Sequence, residues 1–137
     1  MHRDLKLENV MFVNKTDNDC KLIDFGFAEK INYEKLESRA GTPGFLPPEL
    51  FKLGPYTDKG DIFSLGVILY CLVSGCSPFK GKTYKDVLDN NRKCSITYDQ
   101  PVWKNISDDC KHLIRRMVEI DPKRRYSCKE ILKSHWI

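Results

Sequence analysis

Hydrophobic positions occur in short runs near the start of the chain and in longer runs beyond its middle. Residues 10–13 and 20–23 are two short apolar runs, and the polar, turn-forming stretch 14–19 lies between them. This pattern predicts a β-hairpin. No helical period persists over residues 24–49, and a long loop in a compact domain is usually functional or disordered. Motifs at both ends of that loop favour function.

The second half of the chain has the patterns of helices. Residues 61–74 are apolar around the whole helix axis, which predicts a central buried helix. A weaker pattern over 84–91 predicts a second helix. Ser107 is a suitable N-cap for a third helix, and the spacing of Ser127 and Glu130 predicts a capping box at the start of a fourth.

Composition indicates one globular domain. The chain has 137 residues, of which 41% are hydrophobic and 31% charged, with a net charge of +4. Acidic residues are interspersed among the basic clusters, so we expect no nucleic-acid partner. Charged residues follow Met1 at once, so we expect no signal peptide. No apolar run reaches the ~20 residues that a membrane span needs, so we expect no membrane partner. The prediction is a mainly α fold with a small β-hairpin (α+β), in one domain covering residues 1–137.

The six cysteines are scattered along the chain, and none forms a Cys-x-x-Cys pair. This distribution favours reduced, partly buried thiols over a disulfide framework or a zinc site. Reduced thiols are typical of cytoplasmic proteins, and we therefore expect a cytoplasmic location.

Polar groups suited to phosphoryl transfer stand at the start of the chain. A carboxylate (Asp4), an ammonium group (Lys6) and an amide (Asn9) lie within one short turn. Phosphoryl transfer needs a base for the attacking hydroxyl, a cation for the γ-phosphate and a ligand for the metal. The predicted hairpin would bring a further carboxylate, that of Asp24, close to Asn9.

Three signals, in this order, resemble the C-terminal lobe of a eukaryotic serine/threonine protein kinase. They are His2-Arg3-Asp4-Leu5-Lys6-Leu7-Glu8-Asn9, then Asp24-Phe25-Gly26, then Gly41-Thr42-Pro43-Gly44 with Pro47-Pro48-Glu49. The resemblance covers nearly the whole chain and is greatest to the calcium/calmodulin-dependent and calcium-dependent kinases. Pro47 replaces the usual alanine and Phe63 the usual tryptophan. The resemblance implies a kinase-like fold, ATP and Mg²⁺ as cofactors, and phosphoryl transfer to Ser or Thr of a protein or peptide substrate.

The resemblance also implies a role for each residue of the catalytic motifs. Asp4 would accept or orient the proton of the substrate hydroxyl, and Lys6 would steady the γ-phosphate. Asn9 and Asp24 would bind Mg²⁺, with Asp24 bridging the metals to the phosphates. Thr42 would touch both Asp4 and Lys6.

Supporting roles are implied for residues farther from the chemistry. Glu49 would form a buried ion pair with Arg125. Asp61 would hydrogen-bond the backbone of the catalytic loop. His2 would stack on the ring of Phe25, and Gly26 would be a structural residue beside it. His2 is a poor candidate for the general base, because Asp4 fills that role.

Two further roles have ordinary alternatives. Arg3 is the residue that, in similar kinases, pairs with a phosphate on the activation loop, and Ser38 lies where related kinases carry that phosphate. Ser38 is otherwise an ordinary exposed serine. Glu8 would face a basic side chain of a peptide substrate, or it is a solvated carboxylate.

The segments that hold ATP in the family, namely the Gly-rich loop, the phosphate-binding lysine, its glutamate partner and the hinge, are not among these residues. We therefore expect a C-lobe fragment that is inactive or nearly so alone. Apolar surface around Ile62, Leu65, Leu69 and Leu72 should be partly uncovered. Regulation by calcium or calmodulin would act through missing segments. Two alternatives stay open: a non-catalytic module that docks substrates or regulators of an intact kinase, and a complement to a separately encoded N-terminal lobe.

Overall fold

A computed structural model of the chain describes residues 1–30, 41–52 and 56–137. These residues form a two-stranded antiparallel sheet and several helices. The strands are β1 (Val10–Phe12) and β2 (Cys20–Leu22). The helices are α1 (Asp58–Ser74), α2 (Tyr84–Lys93), α3 (Asp108–Met117) and α4 (Cys128–Ile131). Short 3₁₀ turns occur at Leu7–Asn9, Pro48–Lys52 and Pro101–Asn105. The predicted mainly helical fold with a small hairpin is confirmed.

Side-chain caps determine where the helices begin. Ser107 accepts a hydrogen bond from the amide of Cys110, and Ser127 and Glu130 form a reciprocal capping box, both as predicted. The buried helix begins at residue 58 rather than 61, because Thr57 accepts a hydrogen bond from the amide of Lys59 and starts the helix one turn earlier.

The core lies between α1 and α3. The helices approach closely at Gly66, where an added Cβ would lie 2.7 Å from the Cβ of Met117. Aromatic side chains extend this core toward the loop before α3: the rings of Tyr70 and Trp103 are 4.7 Å apart, and Trp103 is buried. α1 is therefore enclosed on most sides, as its apolar pattern predicts.

One side of α1 is uncovered in the described residues. Leu72 is 68% exposed and Leu65 is 39% exposed, while Leu69 is half-buried. The prediction of exposure is wrong for Ile62, which is 4% exposed and packs against residues of α3 and α4. An apolar pattern around the whole axis does not indicate which face will be covered, and this explains the error.

All six cysteines are free thiols. Their burial varies from the enclosed Cys110 to the exposed Cys20 and Cys128. The prediction of partly buried thiols is confirmed for Cys71, Cys76 and Cys94, and their reduced state stays a prediction. Among the described residues, no helix combines the length and the apolar character that crossing a membrane would require.

Candidate active site

The first residues of the chain are held on the start of α1 by one carboxylate. Asp61 accepts a hydrogen bond from the amide of His2 at 2.7 Å and from the amide of Arg3 at 2.9 Å. Arg3 has a left-handed backbone, with φ 73°. A non-glycine residue in this region is strained, and such strain persists only where neighbouring contacts enforce it. The contacts of Asp61 are those predicted for it, and they enforce the conformation of the loop.

Asp4, Lys6 and Thr42 form a closed triangle of hydrogen bonds. The hydroxyl of Thr42 donates to Oδ1 of Asp4 at 2.7 Å. The ammonium of Lys6 contacts Oδ2 of Asp4 at 2.8 Å and donates to the Thr42 hydroxyl at 3.1 Å. The structure thus brings together three residues that lie up to 38 positions apart in the chain.

The triangle favours the charged forms of Asp4 and Lys6. Burial alone would raise the pKa of Asp4, but hydrogen bonds from Lys6 and Thr42 outweigh it and hold the pKa below its usual range. The hydrogen bond to Asp4 is the main reason why the pKa of Lys6 is raised. A carboxylate and an ammonium group are therefore both present at neutral pH.

Asn9 and Asp24 lie at the same end of the hairpin. Val10 pairs with Leu22, and the amide of Ile23 donates to the carbonyl of Asn9 at 3.0 Å. The side-chain amide nitrogen of Asn9 donates to the carbonyl of Asp4 at 2.8 Å, and this leaves the Asn9 Oδ1 for another partner. Asp24 is exposed and has φ 61°. Amide and carboxylate oxygens of this kind are the ligands that Mg²⁺ prefers.

His2 contacts Phe25 with ring centroids 5.0 Å apart, which is the predicted contact. Its Nε2 donates to the carbonyl of Ile23 at 3.0 Å, and its Nδ1 accepts from the amide of Asp4 at 3.4 Å. Both ring nitrogens are thus engaged with backbone groups. The amide of Gly26 donates to Oδ1 of Asp24 at 3.2 Å, so Phe25 and Gly26 help to fix the turn around Asp24.

Glu49 and Arg125 form the predicted buried ion pair. Two parallel hydrogen bonds join them, at 2.7 Å and 2.8 Å. The guanidinium also donates to the carbonyls of Glu119 and Lys59, and it lies 5.1 Å from the centroid of the Phe63 ring. The pair joins the turn after the long loop to the segment before α4.

The remaining predicted residues differ in how far the structure describes them. Glu8 is exposed and adjoins the catalytic loop. The guanidinium of Arg3 contacts the carboxylate of Glu29 at 2.6 Å. Ser38 lies outside the described residues, and its pairing with Arg3 stays a prediction.

Sequence reasoning missed two residues that hold parts of the candidate site in place, Asn91 and Tyr56. Asn91 is fully buried; it accepts from the amide of Gly44 at 3.0 Å and donates to the carbonyl of Leu46 at 2.8 Å. Tyr56 donates to Asp61 at 3.3 Å, and its burial is the main reason why its pKa is raised. The signal that could have revealed Asn91 is its position as a polar residue on the inner face of α2.

A family model described as the protein kinase domain matches residues 1–137 of the chain. The chain belongs to the protein kinase family. This assignment agrees with the mainly helical fold and with the hydrogen bonds among Asp4, Lys6 and Thr42. Within the family, the chain corresponds to the C-terminal lobe of the serine/threonine protein kinases.

Several serine/threonine kinases are similar to the chain over its whole length. A probable serine/threonine-protein kinase 2 of Plasmodium falciparum is 39% identical over 99% of this kinase chain, which covers 27% of that protein. Calcium-dependent protein kinase 5 of the same species is 40% identical over 99% of the chain and 24% of that protein. Smooth muscle myosin light chain kinase of Gallus gallus is 40% identical over the whole chain and 7% of that protein. The chain thus spans at most about a quarter of these relatives.

Proposed function

We propose that the chain supplies the catalytic and peptide-docking lobe of a serine/threonine protein kinase, which transfers the γ-phosphate of ATP to a Ser or Thr hydroxyl of a protein. One observation carries the proposal: Asp4, Lys6 and Thr42 form a closed hydrogen-bonded triangle next to Asn9. A capping aspartate bonds to backbone amides close to it in the chain, whereas Asp4 contacts the Lys6 ammonium and the hydroxyl of Thr42.

In this mechanism Asp4 orients the attacking hydroxyl. A carboxylate whose pKa lies below its usual range is a weak base, so it takes the proton late in the reaction. Little base strength is needed, since phosphoryl transfer passes through a loose transition state in which the nucleophile need only be positioned. The ammonium of Lys6 lies 2.8 Å from the same carboxylate. From this position it would stabilise the negative charge on the transferred phosphoryl group.

Asn9 and Asp24 are the residues that would hold Mg²⁺. Their oxygens fit a hard divalent cation, and the hairpin keeps the two residues at one end of the sheet. The bound metal would neutralise charge on the phosphates of ATP. Glu8, exposed beside the catalytic loop, would meet a basic side chain of the peptide substrate.

The supporting residues keep these groups in place. Asp61 holds the backbone amides of His2 and Arg3, and the Glu49–Arg125 pair ties the end of the long loop to the helical body. We further propose that the protein works in the reducing cytoplasm, which its six free thiols support. Control by calcium or calmodulin, as in relatives whose names refer to calcium, would act through segments beyond these residues.

The experiment compares the 137-residue chain alone with the chain co-expressed with an N-terminal kinase lobe. Phosphate transfer from labelled Mg-ATP to a Ser/Thr peptide is measured for both. We expect little or no transfer by the chain alone and clear transfer by the complemented kinase. The variant Asp4→Asn should lower kcat by about 10²–10⁴-fold. Full activity of this variant would contradict the role given to Asp4.

The second candidate is a non-catalytic module that docks substrates or regulators of an intact kinase. The exposed Leu65 and Leu72 favour it, because uncovered apolar surface often marks a binding site. Under this hypothesis the complemented kinase stays inactive, while the chain binds a kinase substrate with equal affinity whether or not Asp4 is replaced. Transfer by the chain without any added lobe would exclude it.

A further inference from the structure

Arg3 carries a buried charge whose acidic partner, Glu29, lies 26 positions later in the chain and next to it in space. Its side chain is 4% exposed, and its Nη1 lies 2.6 Å from Oε2 of Glu29. Burying a guanidinium is costly unless a counter-charge and hydrogen bonds accompany it. The Glu29 side chain is 46% exposed, so the carboxylate meets both Arg3 and water.

The backbone brings Glu29 to Arg3. The amide of Glu29 donates to the carbonyl of Met1 at 3.0 Å, and the nitrogen of Met1 donates to the carbonyl of Glu29 at 2.8 Å. The amide of Ala28 donates to the carbonyl of Phe25 at 2.9 Å, which closes the turn before it. Glu29 is thereby aligned beside the catalytic loop, because its backbone pairs with Met1, which lies two residues before Arg3.

We propose that Glu29 is a positioning residue that supplies Arg3 with a built-in negative charge and so anchors the segment after Asp24 to the catalytic loop without a phosphate. The inference rests on the proposed kinase function. It changes the expectation for Ser38, because phosphorylation there is then not required for Arg3 to have an anionic partner. A phosphate carries a larger charge than a carboxylate and would compete with Glu29 for the same guanidinium.

The first test needs no catalysis. Backbone hydrogen exchange of residues 28–30 is measured in the 137-residue chain. We expect Glu29→Gln to raise the exchange rates about twofold to threefold, since the local anchor is weakened while the global fold remains. Glu29→Asp should restore part of the protection. Asp19→Asn removes the same charge in the hairpin turn and should change nothing. Unchanged exchange in Glu29→Gln would overturn the proposal.

The second test uses the complemented kinase after phosphatase treatment. We expect the treated wild type and Ser38→Ala to have a kcat within about twofold of that of the untreated wild type, because Glu29 already faces Arg3. Glu29→Lys places two cations together, and it should lower kcat about tenfold with little change in the KM for ATP. Glu29→Asp keeps the negative charge and should lose less of the kcat than Glu29→Lys does. A tenfold loss in the phosphatase-treated wild type would show that Arg3 needs a phosphate and would refute the proposal.

The two tests separate this inference from the proposed function. If no variant shows any activity, the kinase function fails while hydrogen exchange still decides whether Glu29 anchors the segment. If activity is present and exchange is insensitive to Glu29, the function stands and the anchor does not.

Discussion

Two arginine–glutamate pairs in this chain have nearly the same length and opposite surroundings. Arg125 and Glu49 approach to 2.7 Å, and their side chains are 0% and 7% exposed. Arg3 and Glu29 approach to 2.6 Å, but the carboxylate is 46% exposed. Distance alone does not distinguish the pairs. The exposure of the carboxylate does, because it decides how strongly water and salt compete with the arginine.

The other contacts of each arginine separate the pairs further. Arg125 forms two parallel bonds to Glu49, donates to backbone carbonyls and stacks over Phe63. Phe63, which replaces the usual tryptophan, presents its ring face to this cation. The enclosed pair joins residues 76 positions apart and belongs to the core. The half-exposed pair joins Arg3 to a carboxylate that solvent also reaches.

The largest expected effect comes from breaking the enclosed pair. Arg125→Met leaves the buried carboxylate of Glu49 without a counter-charge. We expect the free energy of unfolding to fall by about 3–5 kcal/mol. Urea unfolding of the 137-residue chain measures the loss.

Two controls define the origin of that loss. Arg124→Met removes a neighbouring arginine whose side chain is 69% exposed, and it should cost less than about 0.5 kcal/mol. The double variant Glu49→Leu with Arg125→Met should recover much of the stability, because no charge stays buried. A single variant that costs under about 1 kcal/mol would mean that water reaches Glu49 after all.

The next effect concerns the carboxylate that holds the backbone at Arg3. Asp61→Asn keeps one acceptor oxygen, but its NH₂ group replaces the oxygen that accepts from the amide of His2 or Arg3. One charge-assisted hydrogen bond is therefore lost. We expect a loss of about 1.5–3 kcal/mol in the free energy of unfolding. Hydrogen exchange should rise at the amides of His2 and Arg3 and stay unchanged around Arg125. Asp58→Asn, in the same helix turn, is the matched control, and equal losses in both variants would remove the special role of Asp61.

The helices, the hairpin and the caps could be predicted because each depends on residues close together in the chain. Ser107 and the Ser127–Glu130 capping box are local patterns with one dominant solution. The contacts of Asp4, Thr42 and Asp61 came from family motifs, since no local pattern indicates that a threonine 38 positions away reaches the aspartate.

The remaining contacts depend on how distant segments meet. The buried face at Ile62 could not be predicted, because an all-round apolar helix has no period that indicates its covered side. Glu29 stands in a segment without a motif, and only the backbone pairing with Met1 brings it to Arg3. Asn91 was within reach of sequence reasoning, since a polar residue on an apolar stripe needs a partner.

A third test compares the pairs with the contact between Asp4 and Lys6. The pKa of Asp4 is lowered in the folded chain, so its stabilising contribution is complete above the unfolded value of 3.8 and is lost as pH falls through the folded value. Asp4→Asn should lower stability at pH 7 by on the order of 1 kcal/mol. The gap to the wild type should close in acid. Asp19→Asn should show no such convergence in pH-dependent urea unfolding.

The smallest expected effect is that of the half-exposed pair on global stability. Glu29→Gln should lower the free energy of unfolding by about 0.5 kcal/mol, because water already screens the carboxylate. In ~1 M salt, where the screening length is about 3 Å, this difference should vanish. The loss in Arg125→Met should persist there, since solvent ions do not reach an enclosed pair. If salt reduced both losses equally, the exposure of the carboxylate would not be what separates the two pairs.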